Sequence, residues 1–207
     1  MGRTSDAKQR LMESVLDLVW KGSYGQTSVD DICERAGVKK GSFYHFFESK
    51  SDLMAEALED SWGKIYRPVF DGVFSPAKPP LERLRDYVSH GYEEQVRKHK
   101  ECGHVVGCPL FSLGNELDVQ ERRLREVIQS LLGTMVRYLE TALRDGHSQG
   151  VFVCPHPELM ARTLFRYFEG ALTEARIMNN LDLLKGMEPA LLGLLGVKAE
   201  APALVAA

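Results

Sequence analysis

Residues 27–50 read TSVDDICERAGVKKGSFYHFFESK, and the reading of this stretch decides the fold. Val29, Ile32, Cys33 and Ala36 recur at helical spacing and form the inward face of a short helix. Ser28 and Asp31 stand as an S-x-x-D capping pair at its start, with Thr27 as the other candidate cap. Gly37 can take the positive φ that ends a helix, and Val38 follows as the apolar anchor of the turn. A second short helix over about 39–47 turns Phe43, Phe46 and Phe47 inward and leaves Lys39, Lys40, Ser42, Tyr44 and His45 outside. Two short amphipathic helices around a tight turn, the second carrying lysines and small polar groups, are the arrangement that presents a recognition helix to DNA.

The pattern continues on both sides. Leu11, Val15, Leu18 and Val19 predict a helix over about 7–21, stopped by Gly22 and Gly25. Ser49 and Asp52 form a second capping pair for a helix that carries Leu53, Ala57 and Trp62 toward Tyr66, where Pro68 ends or bends it. The Phe74–Pro80 segment, rich in proline, predicts a loop. Helices are expected over about 81–100, 110–117, 118–144, 158–179 and 181–195, with irregular chain over 101–109 and 145–157. The expectation is an all-α protein of about nine helices: a helix-turn-helix head over 5–60, a sensing and dimerisation bundle over 61–196, and a disordered tail over 197–207.

Composition narrows the classes. The 207 residues are 44% hydrophobic and 27% charged, which is ordinary for a globular protein. No apolar run approaches the ~20 residues of a membrane span, and the N-terminus lacks the apolar block of an export signal. Four unevenly spaced cysteines fit a reduced, cytoplasmic setting better than a disulfide framework. The formal net charge of −3 excludes bulk basicity as the source of nucleic-acid affinity, so local lysines and helix ends must supply it.

The motifs TSVDDI (27–32), AGV (36–38), KGSFYHFF (40–47) and S-K-x-D-L (49–53) resemble the TetR family of one-component transcription regulators. The resemblance covers about residues 5–60 and beyond them rests on helix order and chain length. It implies a homodimer through the last two helices, a double-stranded DNA operator and a small-molecule effector of unknown identity. Two identical heads then require half-sites about one helical turn, ~34 Å, apart, hence a pseudo-palindrome.

The residues expected at DNA are Thr27, Ser28, Lys39, Lys40, Gly41, Ser42, Tyr44, His45 and Lys50. Lysines and hydroxyls at helix starts suit phosphate, and Gly41 and Ser42 let the backbone come close. The candidate ligand lining is Trp62, Tyr66, Phe70, Tyr92, Cys108, Phe111, Asn115, Phe165 and Phe168, each of which core packing would equally explain. Residues 107–116 also resemble a G-C-x₇-E element in a branch of the family that includes sensors of reactive electrophiles. A cysteine before a helix N-terminus favours thiolate, and Cys102 could resolve an oxidised Cys108; alternatively Cys108 is a small packed side chain. His99, Cys102, His104 and Cys108 lie close in sequence, but their spacing matches no zinc-finger pattern, so a metal-responsive regulator stays an alternative and no metal or cofactor is expected. No Ser/His/Asp arrangement, phosphate-binding glycine loop or H-E-x-x-H points to an enzyme, and a helical thiol enzyme would leave the head unexplained. The expected mechanism is a repressor released from DNA when a shift in the body passes through the fourth helix.

Overall fold

The computed structural model describes residues 3–197, with side chains from Asp6 onward. The expected tail therefore lies, past Val197, outside the described residues. Nine α-helices and no strand are present among the described residues. They are α1 (Arg3–Lys21), α2 (Val29–Ala36), α3 (Lys40–Phe46), α4 (50–73), α5 (Pro80–Cys102), α6 (Pro109–Glu116), α7 (Arg122–Ser148), α8 (Pro157–Met178) and α9 (Met187–Leu194). Helix α4 is Lys50–Ser61, a five-residue π turn Trp62–Tyr66, and a resumed α segment Arg67–Val73.

Local chemistry explains the boundaries. Ser28 Oγ accepts from the Asp31 N–H while Asp31 accepts from the Ser28 N–H, so Ser28 is the cap of α2. Gly37 closes the helix at φ 61°, a conformation a β-carbon would strain. Ser49 caps α4 through the Asp52 N–H. Of the two alternatives for Pro68, the ending does not occur: the helix runs on to Val73, and the proline sits second in the resumed segment after the π turn, where a missing N–H is tolerated. One expectation fails. Residues 181–195 are not one helix. Asn180 accepts from the Asp182 N–H and starts a single 3₁₀ turn, Leu181–Leu184, and α9 begins only after Gly186.

The chain forms two compact units, one running to Gly72 with Val106–Met135, the other Val73–Val105 with the chain from Val136 onward. In the first, Leu11, Val15, Ile32, Phe43, Leu53 and Met54 are fully buried together with Leu113 and Leu124. Helix α6 and the first half of α7 therefore share one core with the helix-turn-helix. Burying a side chain such as Phe43 contributes about 2–3 kcal/mol, so this shared core holds the pieces firmly.

The second unit has an aromatic chain. Phe74 lies 5.7 Å from Tyr87 and 5.5 Å from Tyr138, and Tyr87 lies 4.4 Å from Phe168. A β-carbon at Gly91 would overlap the Phe168 ring, so glycine there lets α5 and α8 approach. Arg83, 2% exposed, ties the 74–79 loop down: its guanidinium donates to Asp145 (2.5 Å) and to the carbonyls of Lys78 and Pro76.

Candidate nucleic-acid interface

Helix α3 has a back and a front. Phe43 is fully buried and Phe47, just past the helix, nearly so; Phe46 packs half-buried against the same core. On the front, Lys39, Lys40, Gly41, Tyr44 and His45 are exposed, and Tyr44 is 55% exposed although aromatic. Its ring sits edge-on to Phe43 at 5.1 Å, which fixes the phenol outward. Ser42 is half-buried, its N–H bonded to the Lys39 carbonyl.

Gly41 lies on the same front. A β-carbon there would meet nothing within 4 Å, and its φ is not positive. A glycine inside a helix is less favourable than alanine by about 1 kcal/mol. The same open space surrounds the helical glycines Gly63, Gly72, Gly170 and Gly193.

The remaining expected DNA residues fall in different places. Ser28 is exposed at the start of α2. Thr27 is 8% exposed and its hydroxyl donates to the Ser23 carbonyl, which makes it a buckle of the loop. Lys50 is half-buried. Its ammonium donates to the carbonyls of Tyr24 (2.7 Å) and Thr27 (2.8 Å) and lies 4.1 Å from the centre of the Tyr24 ring. Burial pushes this ammonium below the ordinary lysine range, against the pull of Glu121 and Glu116. Lys40 donates to both carboxylate oxygens of Asp30, at 2.8 and 2.9 Å.

Sequence reasoning missed how the α1–α2 loop is held. Tyr24 is 3% exposed, and its phenol donates to Glu121 at 2.5 Å. Burial first, then the Glu121 carboxylate, raises the phenol far above the ordinary tyrosine range. Glu116, last residue of α6, accepts from the Ser23 hydroxyl (2.6 Å) and the Gly25 N–H (2.8 Å). Arg123 pairs with Asp52 at 2.8 Å. The end of α6 and the corner into α7 thus grip the loop leading into α2. The available signal was a lone large aromatic in a Gly/Ser loop.

The expected ligand lining is divided. Trp62, Tyr66, Phe70, Cys108, Phe111 and Asn115 belong to the first unit, and Tyr92, Phe165 and Phe168 to the second. Trp62 lies 5.4 Å from Phe70 and 6.5 Å from Tyr66. Asn115 is exposed, and Phe165 and Phe168 are buried, the latter on Tyr87. Cys108 caps α6, half-buried against the shared core of the first unit, with Pro109 as the first helical residue. None of the four cysteines is in a disulfide, and burial raises the thiols of Cys33 and Cys154. Among the described residues no three His, Cys, Asp or Glu side chains are grouped to hold a metal, and no helix is long and apolar enough to cross a membrane.

A polar, close-approach helix front braced on an apolar back defines a helix-turn-helix DNA-binding protein. Residues 11–57 match the family described as bacterial regulatory proteins, tetR family, and residues 80–191 match the tetracyclin repressor-like C-terminal domain. The chain belongs to the TetR family, and is a DNA-binding transcription regulator, not an enzyme. It is 29% identical over 173 residues to the transcriptional regulator AcuR of Cereibacter sphaeroides, covering 83% of this chain and 77% of that protein. It is 22% identical over 181 residues to the HTH-type transcriptional repressor NemR of Escherichia coli (strain K12), covering 87% and 89%. The crystal structure of a regulatory protein TetR from Rhodobacter sphaeroides is similar with a TM-score of 0.77 at 26% identity, covering 89% of this chain and 96% of that one.

Proposed function

We propose that the chain is a homodimeric repressor that holds a pseudo-palindromic operator and releases it when a small molecule binds, or a thiol is modified, in the helical body. The exposed polar front of α3, set over the buried ring of Phe43, carries the DNA side of this reading. Lys39, Lys40, Gly41, Ser42, Tyr44 and His45 meet DNA there, with Ser28 at the start of α2; Thr27 and Lys50 support the surface from behind. The dimer reading draws on Leu159, Ile177, Met178, Leu183 and Leu194, large apolar side chains exposed on α8, α9 and the turn between them. The repressor sense draws on NemR, whose name describes a repressor.

The sensing half is the 61–196 body, and its signal has a short path. Cys108 and the rest of α6 share the core of the head, and Glu116 at the other end of α6 holds the α1–α2 loop. A group added to Cys108, or an effector that shifts α6, moves the entry to α2 without first passing along α4. A hundredfold preference of the effector for the released state, about 2.7 kcal/mol, suffices for the switch.

The test is selection of bound duplexes from a random library under reducing conditions, with sedimentation of the same protein. Enrichment of an inverted repeat by a dimer supports the reading, as does loss of operator affinity in Lys40→Ala and Tyr44→Ala. Unchanged affinity in both variants would show that α3 does not face DNA. Treatment with N-ethylmaleimide should release wild-type protein from operator and leave Cys108→Ser bound; equal release of both removes Cys108 from the mechanism.

A further inference from the structure

The two adjacent lysines that open the recognition helix are held differently. Lys39 is exposed and has no carboxylate in ion-pair range among the described residues. Lys40 is exposed too, yet its ammonium is held by both oxygens of Asp30, the second residue of α2. Asp31 is occupied by the capping box; Asp30 is outside the box, and its carboxylate favours the start of α2 only through its charge in the first turn. Both members of the pair lie on solvent-exposed surface, where an ion pair adds little stability. The pair also places a negative charge on a face that must approach phosphates. A first-turn charge favours α2, but that role needs no partner from α3, so helix stability does not account for the pairing of Asp30 with Lys40.

We propose that Asp30 is a specificity-setting positioning residue: it holds Lys40 in place for a base-edge acceptor in the major groove and keeps it from serving arbitrary phosphates. This rests on the DNA-binding reading given under Proposed function. On an arbitrary sequence, Lys40 must leave Asp30 to reach a phosphate, and the bared carboxylate then repels the backbone. On the operator, an acceptor edge, such as guanine O6 or N7, meets the ammonium where Asp30 already holds it, and the pair stays intact. The carboxylate therefore weakens wrong complexes more than the right one, which widens the ratio between them. Lys39, unheld, supplies the sequence-independent phosphate contact.

The experiment uses the full chain, the operator obtained by selection, and a scrambled duplex of equal length. Affinities of wild type, Asp30→Ala, Asp30→Glu, Lys40→Ala and Asp30→Ala/Lys40→Ala are measured across salt, after circular dichroism shows each variant folded. Asp30→Ala should tighten the scrambled complex and lower the operator-to-scrambled ratio by roughly tenfold. The slope of log affinity against log salt should steepen by about one on the scrambled duplex, since the freed lysine gains a phosphate. Asp30→Glu should restore most of the ratio. In the Lys40→Ala background, removal of Asp30 should leave the ratio where Lys40→Ala alone puts it. Equal tightening of both duplexes would reduce Asp30 to background charge and overturn the proposal. An unchanged ratio, or weakening of both complexes, would overturn it as well. A wild type that enriches no operator would instead sink the DNA-binding reading beneath it.

Discussion

Replacing Gly41 by alanine should make the protein more stable and worse at its task. The site has room, because a β-carbon there meets nothing within 4 Å and the backbone is already helical. Alanine removes the backbone freedom that glycine has in the unfolded chain, worth about 0.4–1 kcal/mol in favour of the fold. For a unit of this size that raises the midpoint of thermal unfolding by about 2–6 °C. Both tryptophans, Trp20 and Trp62, belong to the first unit, so their fluorescence reports its unfolding. If the front of α3 meets DNA as proposed, the same methyl would stand between the backbone and the groove. Overfilling a packed contact costs about 1–3 kcal/mol, or roughly 5- to 150-fold in operator affinity. The assay is a melt of the free protein beside an operator titration at fixed salt. A variant that melts higher and binds the operator as well as wild type would refute the close-approach argument. A variant that melts lower would refute the claim that the folded chain has no use for glycine at this position.

Other outcomes follow from the same contacts. Lys50→Met should destabilise the first unit by about 2 kcal/mol, because two loop carbonyls lose a charged donor; a normal urea midpoint with a shallower salt dependence of binding would return Lys50 to the phosphate contacts. Arg83→Met should cost about 3 kcal/mol by stranding Asp145 and two carbonyls, read as an earlier loss of helical signal in urea. Gly91→Ala, which drives a methyl into the Phe168 ring, should cost about 1–3 kcal/mol in the same measurement. The Ser28 hydroxyl, then its N–H, holds the Asp31 carboxyl below the ordinary aspartate range. The folded value is depressed, so the contribution is complete above about pH 3.9 and fades as pH falls through the lower folded value. Carboxyl NMR titration of Ser28→Ala should show Asp31 moving back up, and no movement would mean the cap is not formed.

The sequence by itself determined the helix-turn-helix, because its signals are local. The Ser28–Asp31 box, the Gly37 turn and the Ser49 cap each need only three or four neighbouring residues, and helical period assigned Phe43 and Phe47 to the core. It also placed the exposed front of α3, since whatever is not on the apolar stripe of a short amphipathic helix faces out. Its boundaries slipped where one residue weighs against a whole helix: Pro68 left a stop and a bend both open, and Gly186 did not read as a break. Only the tertiary structure decided what long, flexible side chains reach. Lys50 looks like a phosphate ligand from its place at a helix start, and only the folded loop shows two carbonyls and a tyrosine ring waiting for it. Tyr24 and Glu121 are 97 residues apart in sequence, and Ser23 and Glu116 93. Nothing in a local pattern ties such pairs together, because their meeting is fixed by how α6 and α7 pack into the core of the head. That packing is also what turned α6, legible in sequence only as a short helix after a cysteine, into a neighbour of the DNA-binding motif.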